Sequence, residues 1–256
     1  MVKKSASPSP VLMAVIAAAL TTGGWLMGSF PLLIFFGLAP LFTLADAADS
    51  SSSILEKMEL ILIALGAALI AHAVVYDTSV VVAIVLAIAY TLAFVAHAWA
   101  RQTLGIRTGK ITLILFLLAI EYVILKLAAG RSPFLADSLA LKEDWTRWTI
   151  HTGYLGSSFW ILIVNFSFYM AFLFGGSVKW GWLIAGILLL GGPIVYSYTL
   201  SGPPITREMM INLYGNVSSV TDVTYLARGE WVVRTAAWIS VLMLLFTLVK
   251  HQTRKK

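Results

Sequence analysis

The sequence predicts an all-α integral membrane protein, an eight-transmembrane-helix bundle with both termini cytoplasmic. Three observations carry that expectation. Hydrophobic residues make up 59% of the 256 residues and charged residues only 12%, and the mean hydropathy is +0.89, outside the range of water-soluble domains. Apolar runs recur along the chain near Val11–Leu26, Phe30–Leu44, Met58–Tyr76, Ser79–Ala98, Ile111–Ala129, Tyr154–Phe174, Gly181–Tyr198 and Trp231–Val249, most of them close to the roughly 20 residues that a spanning helix needs. Between them no polar stretch is long enough for a separate globular domain, so function must reside in the bundle, its loops or a partner.

Residues 1–10 read as a short cytoplasmic tail. Lys3 and Lys4 before an apolar run imitate a signal peptide, but Gly23–Gly28 leads straight into the next hydrophobic segment, which favours a retained hairpin. Residues 11–250 form the membrane domain, and residues 251–256 a basic cytoplasmic tail. With the N-terminus inside, eleven basic residues face the cytoplasm, among them Lys57, Arg101, Lys110, Lys179 and Lys250. Six face outward: Arg131, Lys142, Arg147, Arg207, Arg228 and Arg234. That asymmetry obeys the positive-inside rule. It also accounts for the net charge of +6 without a nucleic-acid partner, which is not expected.

Two long connections, 130–153 and 199–230, fall on the outer side. The first mixes Leu135, Leu139, Leu141, Trp145 and Trp148 with charges, the composition of an interfacial helix. The second opens with Ser201-Gly202-Pro203-Pro204, a strong breaker, and then shows a weak helical period over Ile205–Gly215. Long loops in compact proteins are functional or disordered, which points to an outward-facing working surface.

Glu121, deep in the fifth apolar run, is the clearest candidate, because a charge at membrane depth is costly. Lys126 lies nearer the outer surface and has the length to snorkel there. His151 on the outer face is the histidine to watch; His72 and His97 are expected near opposite faces, too far apart to share a metal. Arg131 and Arg147, with Trp145 and Trp148, are candidate lipid-headgroup contacts. Asn216-Val217-Ser218 fits a glycosylation sequon. Cysteine is absent, so disulfides, thiolate metal sites and a cysteine nucleophile are excluded. No metal site or cofactor is expected, since no zinc-binding His-Glu-x-x-His, phosphate loop or Gly-x-Ser-x-Gly elbow occurs.

Three stretches together resemble the membrane part of bacterial apolipoprotein N-acyltransferase. Gly24–Asp46, GWLMGSFPLLIFFGLAPLFTLAD, is similar to that family's early hairpin, with a proline-marked turn and a Leu-Ala-Pro helix. In Ile120–Asn165, Glu121 falls where the family has a glutamate ending its fifth span. His151-Thr152-Gly153-Tyr154-Leu155-Gly156-Ser157-Ser158-Phe159 resembles its Thr-Gly-x-x-Gly-x-Ser-Phe stretch, and Asn165 matches the asparagine that follows. Thr224–Trp231 is similar to the entry into its last span.

The resemblance implies eight spans in a bacterial inner membrane and contact with phospholipid or lipoprotein acyl chains. The departures are as informative. That family carries a nitrilase-like domain, with a glutamate–lysine–cysteine triad, between its seventh and eighth spans. Here the interval is only Thr199–Glu230, no cysteine exists, and no triad position carries over. Ser132-Pro133-Phe134 stands in place of a Phe-Pro-Trp-like element. The expected role is therefore a non-catalytic membrane scaffold or lipid-handling subunit acting with a membrane or periplasmic protein. The alternative is an acyltransferase with a non-cysteine mechanism, in which Glu121 or His151 would be the base. A transporter would want broken helices in pairs or several midplane charges, and no repeat signal is present.

Overall fold

In the computed structural model, residues 9–28, 30–47, 54–128, 132–215 and 230–253 are described. Among them the chain is helical with no strand. The long helices are α1 (Pro10–Leu26), α4 (Ile54–Val75), α5 (Val80–Leu104), α6 (Ile106–Ala128), α9 (Gly156–Phe168), α10 (Trp180–Thr199) and α12 (Trp231–Thr253). Shorter ones are α2 (Ile34–Gly37), α3 (Ala39–Ala47), α7 (Glu143–Thr146), α8 (Thr149–Thr152) and α11 (Arg207–Gly215).

Among the described residues five helices are long and apolar enough to cross a membrane: Ile54–Val75, Val80–Leu104, Gly156–Leu173, Trp180–Thr199 and Trp231–Thr253. The first two apolar runs form shorter helices, Pro10–Leu26 and Pro31–Ala47. Helix α6 has 23 residues and carries Glu121 and Lys126 within its apolar run.

Local chemistry sets the helix starts. Ser9 caps α1 by accepting from Leu12 N–H (3.3 Å), with Pro10 in the first helical position where its missing donor costs nothing. Ser79 caps α5 in the same way, after a tight reversal at Asp77 with φ of 50°.

Helices α1, α4, α5, α6 and α12 pack in succession, and α9 lies inside, against α2, α3, α6, α10 and α12. Within the membrane-length windows, 78% of α9 is buried by protein, against 11% of α10 and 22% of α12. Helix α9 is therefore the central post, and α10 and α12 are outer staves. Their outward faces are apolar, with Leu188, Val195 and Trp238 each 67% exposed. Surfaces of that kind suit lipid rather than water.

Close backbone approach joins α1 to the second segment. A Cβ on Gly24 would stand 2.7 Å from Ile34 N, and one on Gly37 would stand 2.7 Å from Thr21 Oγ1. Both are closer than real carbon atoms come, so only glycine fits.

The second apolar run is broken at Leu38, and the break has a clear cause. Pro40 has no N–H, and its ring conflicts with the carbonyl four residues back. The amide of Asn165, fully buried in α9, fills the gap. Its Oδ1 accepts from Leu38 N–H (2.8 Å) and Ala39 N–H (3.0 Å), and its Nδ2 donates to Ile34 O (2.8 Å) and Ile161 O (2.9 Å). Leu38 N–H and Ile34 O would be partners in an unbroken helix, so the side chain is inserted into the ladder itself. A similar repair occurs at Pro193 inside α10: the carbonyl of Leu189, left without its usual donor, accepts from Trp160 Nε1 (2.6 Å).

Helix ends gather into two groups. At one, Arg101 pairs with Asp46, which also accepts from Tyr169 Oη; Lys57 donates to Ala47 O, and Lys250 Nζ to Thr103 O (2.8 Å). At the other, Tyr76 Oη donates to Trp25 O (3.3 Å), and Arg147 to Leu200 O (3.1 Å). His97 lies near the first group, against Thr112 (2.7 Å), and His72 near the second, between the rings of Trp25 and Tyr76. The two histidines are apart, as expected.

Asn165→Leu removes all four hydrogen bonds and leaves Leu38 N–H and Ile34 O buried without partners. A loss of about 2–4 kcal/mol is expected, read as a fall of several degrees in the thermal unfolding of the purified protein in mild detergent.

Candidate functional site

The described part of the connection 130–153, residues 132–153, is not one interfacial helix. It folds into three short turns, a 3₁₀ turn at Leu135–Leu139 followed by α7 and α8, and its apolar side chains Phe134, Leu135 and Leu139 are buried. Burial is the physical reason for the difference. A segment covered by protein on several sides satisfies no single amphipathic stripe.

The start of the 3₁₀ turn shows what Glu121 does. Three successive amides there are buried and need acceptors. Phe134 N–H donates to Asp137 Oδ2 (2.8 Å), Leu135 N–H to Glu121 Oε1 (2.8 Å), and Ala136 N–H to Ser158 Oγ (3.1 Å). Tyr90 Oη from α5 also donates to Glu121 Oε1, at 3.1 Å, and the Ser158 hydroxyl adjoins the same carboxyl group. Glu121 is fully buried and thereby ties α5, α6 and α9 to the outer turn. Among the described residues no hydrogen bond closes on Oε2.

Asp137 extends the cluster to the second long connection, 199–230. Arg207 at the start of α11 forms an ion pair with it and donates also to Ser132 O (2.8 Å), while Tyr154 Oη donates to its other oxygen. The guanidinium lies 5.8 Å from the Phe134 ring. Burial pushes the Asp137 carboxyl above its ordinary value, and Arg207, Tyr154 and the Phe134 amide oppose that push. The two connections are thus joined by this ion pair and by hydrogen bonds, Arg207 to Ser132 O, Arg147 to Leu200 O and Ile205 N–H to Thr149 Oγ1 (3.0 Å). Between them lies a cavity of about 290 Å³ lined by Ala136, Leu139, Thr149, Tyr154, Ile205 and Arg207, with Glu143 and Glu208 at its exposed edge.

Glu230 repeats the logic on the far side of Tyr154. Its two oxygens accept from Tyr154 N–H (2.8 Å) and Leu155 N–H (3.2 Å), at the turn that opens α9. Burial pushes this carboxyl up to about 8 against those donors, and the neighbouring Glu121 carboxyl adds to the shift.

His151 is exposed; its ring stacks on Tyr196, with Nε2 3.2 Å from Tyr196 Oη, and its carbonyl accepts from Trp231 Nε1 (3.1 Å). It lies outside the Glu121 cluster, beside a shallow apolar cleft formed with Trp148, Gly192 and Pro193. Lys126 is exposed on α6, its ammonium 5.6 Å from the Tyr122 ring. Arg147 pairs with Asp144; Trp145 O accepts from Ser197 Oγ (2.9 Å), and the Trp148 ring meets Trp160 edge-on at 5.8 Å. With Arg147 also donating to Leu200 O (3.1 Å) and Trp148 N–H to Ser197 Oγ (3.4 Å), the three residues hold the end of α10 to these turns, and the Trp148 ring reaches α9. Arg131, the sequon Asn216-Val217-Ser218 and residues 224–229 lie outside the described residues. Among the described residues no group of histidine and carboxylate side chains could hold a metal ion.

Asp137, Arg207 and Glu230 are the residues that sequence reasoning passed over. An acidic residue three positions after Phe134, entering a short turn, is a capping pattern and was the available signal for Asp137. Arg207 and Glu230 have no local signal, since their partners are 70 or more residues away.

Asp137→Asn weakens the bolt between the two outer connections. Limited proteolysis should then cut within residues 199–215 at least several times faster than in the unaltered protein, and Arg207→Gln should do the same. Glu230 gives a pH dependence. Its folded pKa lies above its unfolded one, so its contribution is complete below the ordinary carboxylate range and is lost as pH rises through about 8. The melting temperature in detergent should fall from about pH 5 to about pH 9, and Glu230→Gln should make that fall shallower.

No family model matches this chain, and neither the curated proteins nor the solved structures include a significant match to it.

Proposed function

We propose that the chain is an eight-crossing protein of a bacterial inner membrane, with both termini cytoplasmic, serving as a non-catalytic scaffold or lipid-handling subunit. In this reading it resembles the membrane domain of apolipoprotein N-acyltransferase and works with a membrane or periplasmic partner, in contact with phospholipid or lipoprotein acyl chains. One observation carries the proposal. The stretches that bear the resemblance meet in space: Leu38-Ala39 with Asn165, Glu121 with Leu135 and beside Ser158, and Glu230 with Tyr154-Leu155. The topology is supported by the grouping of Lys57, Arg101 and Lys250 at one end of the bundle, the end that the positive-inside rule assigns to the cytoplasm.

The non-catalytic role follows from how the acids are used. Glu121, Asp137 and Glu230 each accept from buried backbone amides, so each has a structural task at the outer rim. The chain also has no cysteine with which to form a thioester. What is left for the outer rim is presentation: a rigid surface of two bolted connections above an apolar bundle.

The test is affinity purification of the full chain in mild detergent, with mass spectrometry of co-purifying proteins and retained lipids. The expected result is a membrane or periplasmic protein in fixed stoichiometry, together with phospholipid. A protein that purifies alone and transfers an acyl chain from phospholipid to a lipoprotein amine, with loss of transfer on Glu121→Gln or His151→Ala, would overturn the scaffold reading in favour of the enzyme.

A further inference from the structure

The opposite end of the bundle holds a feature that the outer cluster does not use. Helix α9 runs into a π-helical turn at Tyr169–Leu173, closed by Phe174 N–H donating to Tyr169 O (3.0 Å). The chain then reverses through Gly175 and Gly176, with φ of 89° and 71°, values that side-chain-bearing residues rarely adopt. Lys179 N–H donates back to Ala171 O (2.9 Å) and closes the reversal.

That geometry sets two ammonium groups on one ring. Lys110 Nζ lies 3.1 Å from the Phe174 ring centroid and Lys179 Nζ lies 4.1 Å from it. A Cβ on Gly175 would stand 3.5 Å from Lys179 Nζ, so the lysine folds over the bare glycine. Neither lysine forms an ion pair among the described residues. Asp46, the acid whose charge reaches Lys110, is engaged by Arg101 and Tyr169. Arg101 and Lys110 thus share one carboxylate that is already paired, and Lys179 adds a further like charge beside Lys110. Two like charges held at the edge of a low-dielectric region repel each other strongly, and a ring face offsets that only in part.

We propose that Lys110, Phe174 and Lys179 form a binding site for the phosphodiester of an anionic phospholipid. The surroundings select a lipid over a soluble anion. Phe172, Val178, Trp180 and Trp182 are all exposed beside the lysines, and α10 continues from there with an apolar outward face. A headgroup at the ammonium pair would lay its acyl chains along that face. Basic pockets between spanning helices on the cytoplasmic side bind anionic headgroups in this way. The inference rests on the helices crossing a bilayer with this end cytoplasmic; it does not depend on the scaffold role or on any partner.

The full chain is placed in nanodiscs containing equal amounts of phosphatidylglycerol and phosphatidylcholine with identical acyl chains, and the lipids that it retains are counted by native mass spectrometry. Phosphatidylglycerol should be retained in preference by roughly tenfold or more. Lys110→Gln/Lys179→Gln should abolish the preference, Lys110→Arg/Lys179→Arg should keep it, and Lys126→Gln at the other end of α6 should leave it unchanged. The arginine pair separates lost charge from lost fold. Equal retention of the two lipids, or a preference that survives the glutamine pair, overturns the proposal while the membrane reading stands. Displacement of phosphatidylglycerol by millimolar inorganic phosphate overturns the lipid assignment in favour of a free anion. Failure to enter nanodiscs removes the membrane reading and this site with it.

Discussion

A backbone amide buried among apolar helices must find an acceptor, and that constraint organises this molecule. Its irregular segments at membrane level are stable only because side chains from distant helices complete them. Asn165 seals the broken second segment, Glu121 and Ser158 receive the amides of the outer 3₁₀ turn, and Glu230 receives those at the entry to α9. An unsatisfied amide in such surroundings costs several times what a surface hydrogen bond contributes. Each of these side chains therefore does more than join two elements. It makes a non-helical backbone tolerable where only helices are normally stable.

The two ends of the bundle solve different problems. At the end that holds Glu121, carboxyl groups meet mostly neutral donors, and the ion pair of Asp137 with Arg207 helps to link two connections, its partners 70 residues apart. At the other end, cations are in excess and the aromatic ring of Phe174 takes the place of an acid. The central helix α9 serves both, with Ser158 at one end and the π turn at the other. Its near-complete burial follows from that double duty, since a helix that contributes to both ends and to the core has little surface left for lipid.

What the sequence makes legible is the part of the structure governed by composition and local pattern. Apolar runs locate the long helices, and the weak period after Pro204 becomes α11. Glu121 stands out because a charge within an apolar run is conspicuous. Its role is not legible, since that depends on Leu135, Tyr90 and Ser158 arriving from three other places. The break at Leu38 is half legible: Pro40 announces it, but the partner that repairs it lies 127 residues later. The outer connection misleads because aromatic and apolar residues at an interface look alike whether they face lipid or a neighbouring turn. Burial decides between those cases, and burial is a property of the assembled bundle.

The separation of these partners along the chain has a consequence for biogenesis. Segments enter the membrane in the order of synthesis, and Tyr90 on α5 is the one donor to Glu121 made before it. Helices α5 and α6 therefore gain from entering together as a hairpin, with the tyrosine hydroxyl shielding the acid at the moment of insertion. The second segment has no such early companion. Its open backbone at Leu38 has to wait for α9 before it is sealed, so the second segment stays provisional until the chain has been made past Asn165.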